Sequence, residues 1–127
     1  MTTETEFMKT ILQRQPQLGA FGFGVFDEYK KTKEQRAAEL QRHRDEMLTS
    51  NSLKQFTSAR DWLRRFDKIK RVNQSGTSYG LKHIAEKDIG YTPNGVFIAA
   101  AIAEGFIVKR DEDSPNALLN ISTKAWR

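Results

Sequence analysis

Cysteine is absent from the 127-residue chain, and its absence excludes several classes of site. Without thiols the chain cannot form a disulfide framework, a cysteine nucleophile, or a cysteine-ligated zinc or iron–sulfur centre. The absence also fits a reducing compartment. Histidine is scarce as well, with two residues in the whole chain, which restricts imidazole-based catalysis and metal binding.

A long apolar stretch is missing too. The longest apolar run, from Val96 to Ala103, has eight residues, whereas a membrane-spanning helix needs about 20. The first six residues (MTTETE) contain no basic residue, and the apolar stretch of a secretory signal does not follow them. We therefore expect a cytoplasmic protein without a membrane partner.

The motifs of common catalytic, cofactor and metal sites are also lacking. Residues 19–26 (GAFGFGVF) have neither dinucleotide-binding spacing nor the ending of a phosphate loop. Glu39 and His43 share one face of a predicted helix, and His83 lies three residues before Glu86, but such spacings are typical of charge pairs on a helix surface. We assign no catalytic residue, no metal ligand and no cofactor, and we expect no enzymatic activity.

Positive charge is what the sequence has in excess. The formal net charge is +5, and the window from Lys54 to His83 contains eight Lys and Arg residues against two acids. Such a concentration favours an anionic partner, either nucleic acid or an acidic protein surface, although a solvated helix face has the same composition. Charge alone leaves these alternatives open.

Apolar periodicity predicts a mainly α-helical chain with a small C-terminal β-hairpin. A polar break at residues 49–52 divides it into an N-terminal helical arm, residues 1–49, and a domain, residues 50–127. Residues 19–26 are expected to be a loop folded onto the core or a docking segment. The predicted helices cover residues 4–15, 26–49, 53–66, 79–88 and 93–104, and the hairpin covers residues 106–122. The fourth and fifth of these helices form a helix-turn-helix, and the fifth is almost uncharged, which indicates burial or a homodimer interface.

The order of elements over residues 53–122 resembles the winged-helix domain of bacterial and mobile-element regulators. The segment TSYGLKHIAEKDIGYTPNGVFIAAAIAEGFIVKR is similar to the second helix, turn, third helix and first wing strand of that fold. The resemblance implies a winged-helix-like unit preceded by N-terminal helices. It also implies DNA binding and transcription regulation, with the third helix in the major groove.

The resemblance and the basic window together give a set of candidate nucleic-acid contacts. Asn94 matches a base-reading position and can pair with adenine, Tyr79 can stack on a base, and the basic residues can contact phosphates. The set is Arg60, Arg64, Arg65, Lys68, Lys70, Arg71, Tyr79, Lys82 and Asn94. The leading expectation is an accessory or regulatory protein that binds DNA or RNA. The alternative is a protein-binding adaptor or inhibitor from a phage or plasmid, because the third helix is apolar and the wing tip, residues 111–113, is acidic.

Overall fold

A computed structural model describes residues 3–25 and 31–126. In these ranges the chain is mainly helical with two small antiparallel hairpins, one of them C-terminal, which confirms the expected fold class. The helices are α1 (Glu4–Arg14), α2 (Lys33–Glu46), α3 (Ser50–Leu63), α4 (Ser78–Ile89) and α5 (Asn94–Ala103). The strands are β1 (Leu18–Gly19), β2 (Gly22–Phe23), β3 (Val108–Arg110) and β4 (Ala117–Leu119), and a 3-10 helix covers Thr123–Trp126. No helix in the described ranges has the length and apolarity to cross a membrane.

Threonine caps set the starts of the first three helices. The side-chain oxygens of Thr3 and Thr32 accept backbone hydrogen bonds at the third residue of α1 and of α2. Thr49 accepts from the backbone N–H of Ser52, so α3 begins three residues before the apolar pattern indicated. Residues 26–30, which the sequence assigns to the start of the second helix, lie outside the described residues.

Helix α5 lies at the centre of the hydrophobic core. Every residue from Asn94 to Ala101 is buried, which confirms the burial that its apolar sequence predicts. Helix α3 packs along α5, and α1, α4 and the β1–β2 hairpin also contact it. A helix that is apolar on all sides is stable in water only when its whole surface is covered.

The N-terminal segment belongs to this same core. Met8 on α1 and Met47 after α2 are fully buried in one cluster with the residues of α5. Residues 3–25 and 31–49 thus pack extensively on the C-terminal elements. The sequence-based division into an arm and a separate domain stays an untested prediction, and these contacts are the reason to expect that residues 50–127 do not fold cooperatively by themselves.

The β1–β2 hairpin lies directly on the first turn of α5. The backbone N–H of Gly95 donates to the carbonyl oxygen of Ala20 at 2.9 Å. A Cβ atom added to Gly95 would lie 1.7 Å from the carbonyl oxygen of Gly19, so the contact requires glycine. The described part of the glycine-rich segment therefore folds onto the core.

The C-terminal β3–β4 hairpin has a third neighbour. Lys68 forms an antiparallel bridge with Ile121, and the backbone N–H of Ile69 donates to the carbonyl of Asn120 at 2.8 Å. The side chain of Asn120 accepts from the Ile107 N–H and donates to the Ile69 carbonyl. The segment after α3 thus lies along β4, on the side opposite β3.

Candidate functional site

Exposed aromatic side chains gather around one pocket. Phe21, Tyr79 and Tyr91 have 54%, 51% and 62% of their surface exposed. Together with His83 they form the rim of a pocket of about 330 Å³, which we call the aromatic pocket. This volume is at the small end of the range for ligand sites, so the pocket suits one planar ring.

Three separate elements bring the rim together. Phe21 lies in the turn of the β1–β2 hairpin. Tyr79 and His83 are one helical turn apart on α4, so they share a face, and their rings meet edge to face with centroids 4.4 Å apart. Tyr91 follows Gly90, whose φ of 82° ends α4. Because glycine adopts this left-handed conformation without a steric penalty, the chain turns there and places Tyr91 beside α4.

A lysine lies beneath the rings. Lys82 has only 5% of its surface exposed. Its ammonium nitrogen lies 5.4 Å from the ring centroid of Tyr79 and 5.0 Å from that of Tyr91. It also donates a hydrogen bond to Glu86 at 3.0 Å. The carboxylate and the two ring faces stabilise a cation that burial alone would destabilise.

The Glu86 carboxylate accepts three hydrogen bonds within the fold. It accepts from Lys82, from the backbone N–H of Thr92 at 3.0 Å and from His83 Nδ1 at 2.9 Å. Burial alone would raise the pKa of Glu86, but these hydrogen bonds and the Lys82 charge outweigh it and hold the pKa below its ordinary value. Glu86 therefore stays ionised and fixes the α4–α5 loop against α4. Within residues 3–25 and 31–126, no three His, Asp or Glu side chains are grouped to hold a metal ion.

A chain of side-chain hydrogen bonds forms the rest of the pocket floor. The Ala117 N–H donates to Ser78 Oγ at 3.0 Å, and the Ser78 hydroxyl donates to Asn94 Oδ1 at 2.9 Å. Asn94 Nδ2 donates to Asn116 Oδ1 at 3.0 Å and to the Pro115 carbonyl at 3.3 Å. Asn94, Pro115 and Asn116 all line the pocket. Because Asn116 Oδ1 accepts from Asn94, the Asn116 amide nitrogen is a donor that has no acceptor in the described part of the chain.

No protein-family model, curated protein or solved structure matches this chain. Function is therefore inferred from the chemistry of the pocket and of the surface around it.

The structure brings three of the nine sequence-predicted contacts together in the pocket. Tyr79 is on the rim and is exposed, as base stacking requires. Lys82 and Asn94 are on the floor, each with 5% of its surface exposed. The expected base-reading role of Asn94 on a groove-inserted helix needs correction, because α5 is buried and the Asn94 amide is held in internal hydrogen bonds.

Three of the four predicted arginine contacts are paired with acids. Arg60 and Arg64 each bond to Glu104 at 2.7 Å, and Arg65 lies 3.3 Å from Asp88. Burial alone would raise the pKa of Glu104, but its bonds to Arg64 and Arg60 lower it. Much of the positive charge of residues 54–83 is thus paired with acids within the fold. These ion pairs connect α3 and the residues just after it to Glu104, at the end of α5, and to Asp88 on α4.

Lys68, Lys70 and Arg71 differ from the paired arginines in exposure and in their partners. They lie on the exposed segment after α3, and none of them has an acidic partner among the described residues. Lys68 packs its ammonium 4.8 Å from the Phe106 ring centroid. Of the predicted phosphate contacts, these three are the ones whose charge is available to a ligand.

Sequence reasoning missed Phe21, Tyr91 and Asn116 as members of the site. Phe21 lies in the segment for which docking was one alternative, and Tyr91 follows a glycine that stops a helix. These signals are local, and no linear spacing places residue 21 beside residues 91 and 116. Only the packing of the hairpin on α5 does so.

Proposed function

We propose that the protein binds single-stranded nucleic acid by stacking an unpaired base in the aromatic pocket. The observation that carries the proposal is the group of exposed rings around a pocket whose floor offers hydrogen-bond donors. Every base has an aromatic face, and stacking on a protein ring contributes about 1–3 kcal/mol per base. Half-exposed rings at a rim are placed for such stacking without rearrangement.

Burial of α5 favours single strands over duplex. The order α3, paired segment, α4, α5 and β3–β4 resembles that of a winged helix, and we include that architecture in the proposal. In winged-helix readers the third helix inserts its first residues into the major groove. Here the β1–β2 hairpin covers those residues, so this route would require dismantling the core. An unpaired base needs no groove-inserted helix.

Phosphate contacts complete the proposed interface. The chain from Asn116, at the pocket, to Asn120, beside Ile69, spans four residues of extended strand, roughly 13 Å at about 3.3 Å per residue. Lys70 and Arg71 follow Ile69 directly. A strand of a few nucleotides therefore reaches these cations from a base held in the pocket. We place this activity in the cytoplasm as an accessory or regulatory function, without catalysis.

The test is binding of labelled single-stranded DNA, single-stranded RNA and duplex across a salt series. Tyr79→Ala and Tyr91→Ala should each weaken single-strand binding by about 5- to 150-fold, the equivalent of one stacked base. Tyr91→Phe keeps the ring and should bind as the wild type does. Ile107→Ala, outside the pocket, is the matched control for loss of an exposed apolar side chain. Absence of binding by the wild type at low salt would refute the proposal.

A second candidate, a protein-binding adaptor, has its own supporting observation. Ile69 and Ile107 are 41% and 53% exposed on either side of Asn120, and Lys70 and Lys109 are close by in sequence. An apolar pair near cations suits an acidic protein surface. On this alternative Ile107→Ala, and not Tyr91→Ala, weakens capture of an acidic partner.

A further inference from the structure

We infer that the aromatic pocket selects guanine over adenine, an inference that rests on the proposed single-strand binding. The two purines have the same ring system and stack similarly. Discrimination between them must therefore come from the polar groups that meet the edge of the base. The floor of the pocket supplies these groups, and their hydrogen-bonding roles are fixed by the fold.

The first group is the Asn116 amide, whose orientation follows from its neighbours. The Pro115 carbonyl can only accept, so the Asn94 atom that lies 3.3 Å from it is the amide nitrogen, and Asn94 Oδ1 accepts from the Ser78 hydroxyl. The nitrogen of Asn94 must then donate to the Pro115 carbonyl and to Asn116 Oδ1. Asn116 Nδ2 is left to donate to a ligand.

The second group is the Lys82 ammonium. It carries three N–H donors, and one of them is used by Glu86. The remaining two have no oxygen or nitrogen acceptor among the described residues, where their other neighbours are the rings of Tyr79 and Tyr91. Lys82 and Asn116 line the same pocket, so a bound base meets two donors from two different elements.

Acceptors on the floor are already occupied. Glu86 accepts three hydrogen bonds, and the side-chain oxygens of Asn94 and Asn116 each accept one. The Pro115 carbonyl accepts from Asn94 and from the Phe23 N–H. Each of these acceptors therefore already holds at least one hydrogen bond, whereas Lys82 and Asn116 Nδ2 keep N–H groups that have no acceptor among the described residues.

This pattern matches one purine edge. Guanine presents two adjacent acceptors, O6 and N7, whereas adenine presents the acceptor N7 beside the donor N6. Guanine satisfies both floor donors, and adenine would place its amino group against one of them. A lost pairing of this kind at a buried site costs about a factor of ten in affinity.

The experiment uses the full-length protein and a short strand of abasic sugar-phosphate units that carries one central base. Guanine and inosine, which both have O6 and N7, should bind about equally. 7-Deazaguanine, which lacks the N7 acceptor, and adenine should each bind about tenfold more weakly. Asn116→Asp keeps an oxygen that accepts from Asn94 Nδ2 and replaces the Nδ2 donor of Asn116 with a second oxygen acceptor. The ratio of guanine affinity to adenine affinity should therefore fall or invert.

Asn51→Asp, on the exposed first turn of α3, adds the same charge away from the pocket and controls for repulsion of phosphate. It should leave the guanine-to-adenine ratio unchanged. Three outcomes would overturn the inference and leave the proposed single-strand binding intact. They are equal affinity for guanine and adenine, no effect of removing N7, and the same change of the guanine-to-adenine affinity ratio in both Asp variants. Failure of every strand to bind would instead overturn the proposed function and the inference with it.

Discussion

The contact between Gly95 and the β1–β2 hairpin gives the sharpest stability prediction. In Gly95→Ala the new methyl carbon would lie 1.7 Å from the Gly19 carbonyl oxygen and 2.9 Å from the Ala20 carbonyl carbon. Real Cβ contacts are not shorter than 3.0 Å, so helix and hairpin must separate by about 1.3 Å, the difference between 3.0 and 1.7 Å. Both partners at this contact are backbone, and neither can rotate away.

The cost follows from what such a separation breaks. The hydrogen bond from the Gly95 N–H to the Ala20 carbonyl, 2.9 Å in the wild type, is lost in a buried place, which costs about 1–3 kcal/mol. A gap of about 1 Å also forfeits a quarter to a half of the dispersion energy between the surfaces. Alanine gains at most about 1 kcal/mol of helix propensity over glycine. We expect a net loss of about 3 kcal/mol, or roughly 10 °C in Tm.

Gly80 supplies a matched control, because it is also a helical glycine. A Cβ atom there meets nothing within 4 Å, so Gly80→Ala should stabilise the protein by about 0.5 kcal/mol through helix propensity. Urea unfolding of both variants, followed by far-UV circular dichroism, measures the two changes. The reasoning is refuted if Gly95→Ala unfolds within about 0.5 kcal/mol of the wild type.

Three further predictions concern the core, the ion pairs and the charged surface. A fragment of residues 50–127 leaves α5 uncovered, so its near-UV dichroism should be lost and its unfolding should not be cooperative. Glu104→Gln should cost about 2 kcal/mol at neutral pH. The pKa of Glu104 is lowered in the folded state, so its ion pairs stabilise the fold fully above the ordinary carboxyl pKa. This stabilisation is lost as the pH falls through the folded-state pKa. The free energies of unfolding of variant and wild type, measured by urea titration, should therefore converge in acid. Replacing both Lys70 and Arg71 by Ala should reduce the slope of log affinity against log salt concentration for single-strand binding by about 0.7 per lost phosphate contact. Arg64→Ala should leave this slope unchanged, because Arg64 is already paired with Glu104.

Helix positions were predictable because their determinants are local. The polar break at residues 49–52 holds the N-cap of α3, although α2 already ends at Glu46, and the apolar run of α5 predicts its burial. The same locality explains small errors. The apolar face predicts the third helix at residues 53–66, whereas the observed helix begins at Ser50, because Thr49 supplies the cap, and ends at Leu63.

Ion pairing and the pocket were not predictable, because both depend on contacts between distant parts of the chain. Arg60 reaches Glu4 across 56 residues and Glu104 across 44. A charge count over one window cannot register partners outside that window. It therefore overstated the unpaired positive charge that α3 and the residues just after it present to a ligand.

The packing that buries α5 also builds the aromatic pocket, so the two proposed modes of nucleic-acid recognition place opposite demands on the fold. The Pro115 carbonyl accepts from Phe23 on the hairpin and from Asn94 on α5, so hairpin, helix and C-terminal turn meet at one atom. The same docking places Phe21 on the rim. Exposing α5 to a DNA groove would withdraw Phe21 and break the hydrogen bonds that orient the floor. Groove reading by α5 and base stacking in the pocket therefore exclude each other, and close packing at Gly95 stabilises the arrangement in which the pocket exists.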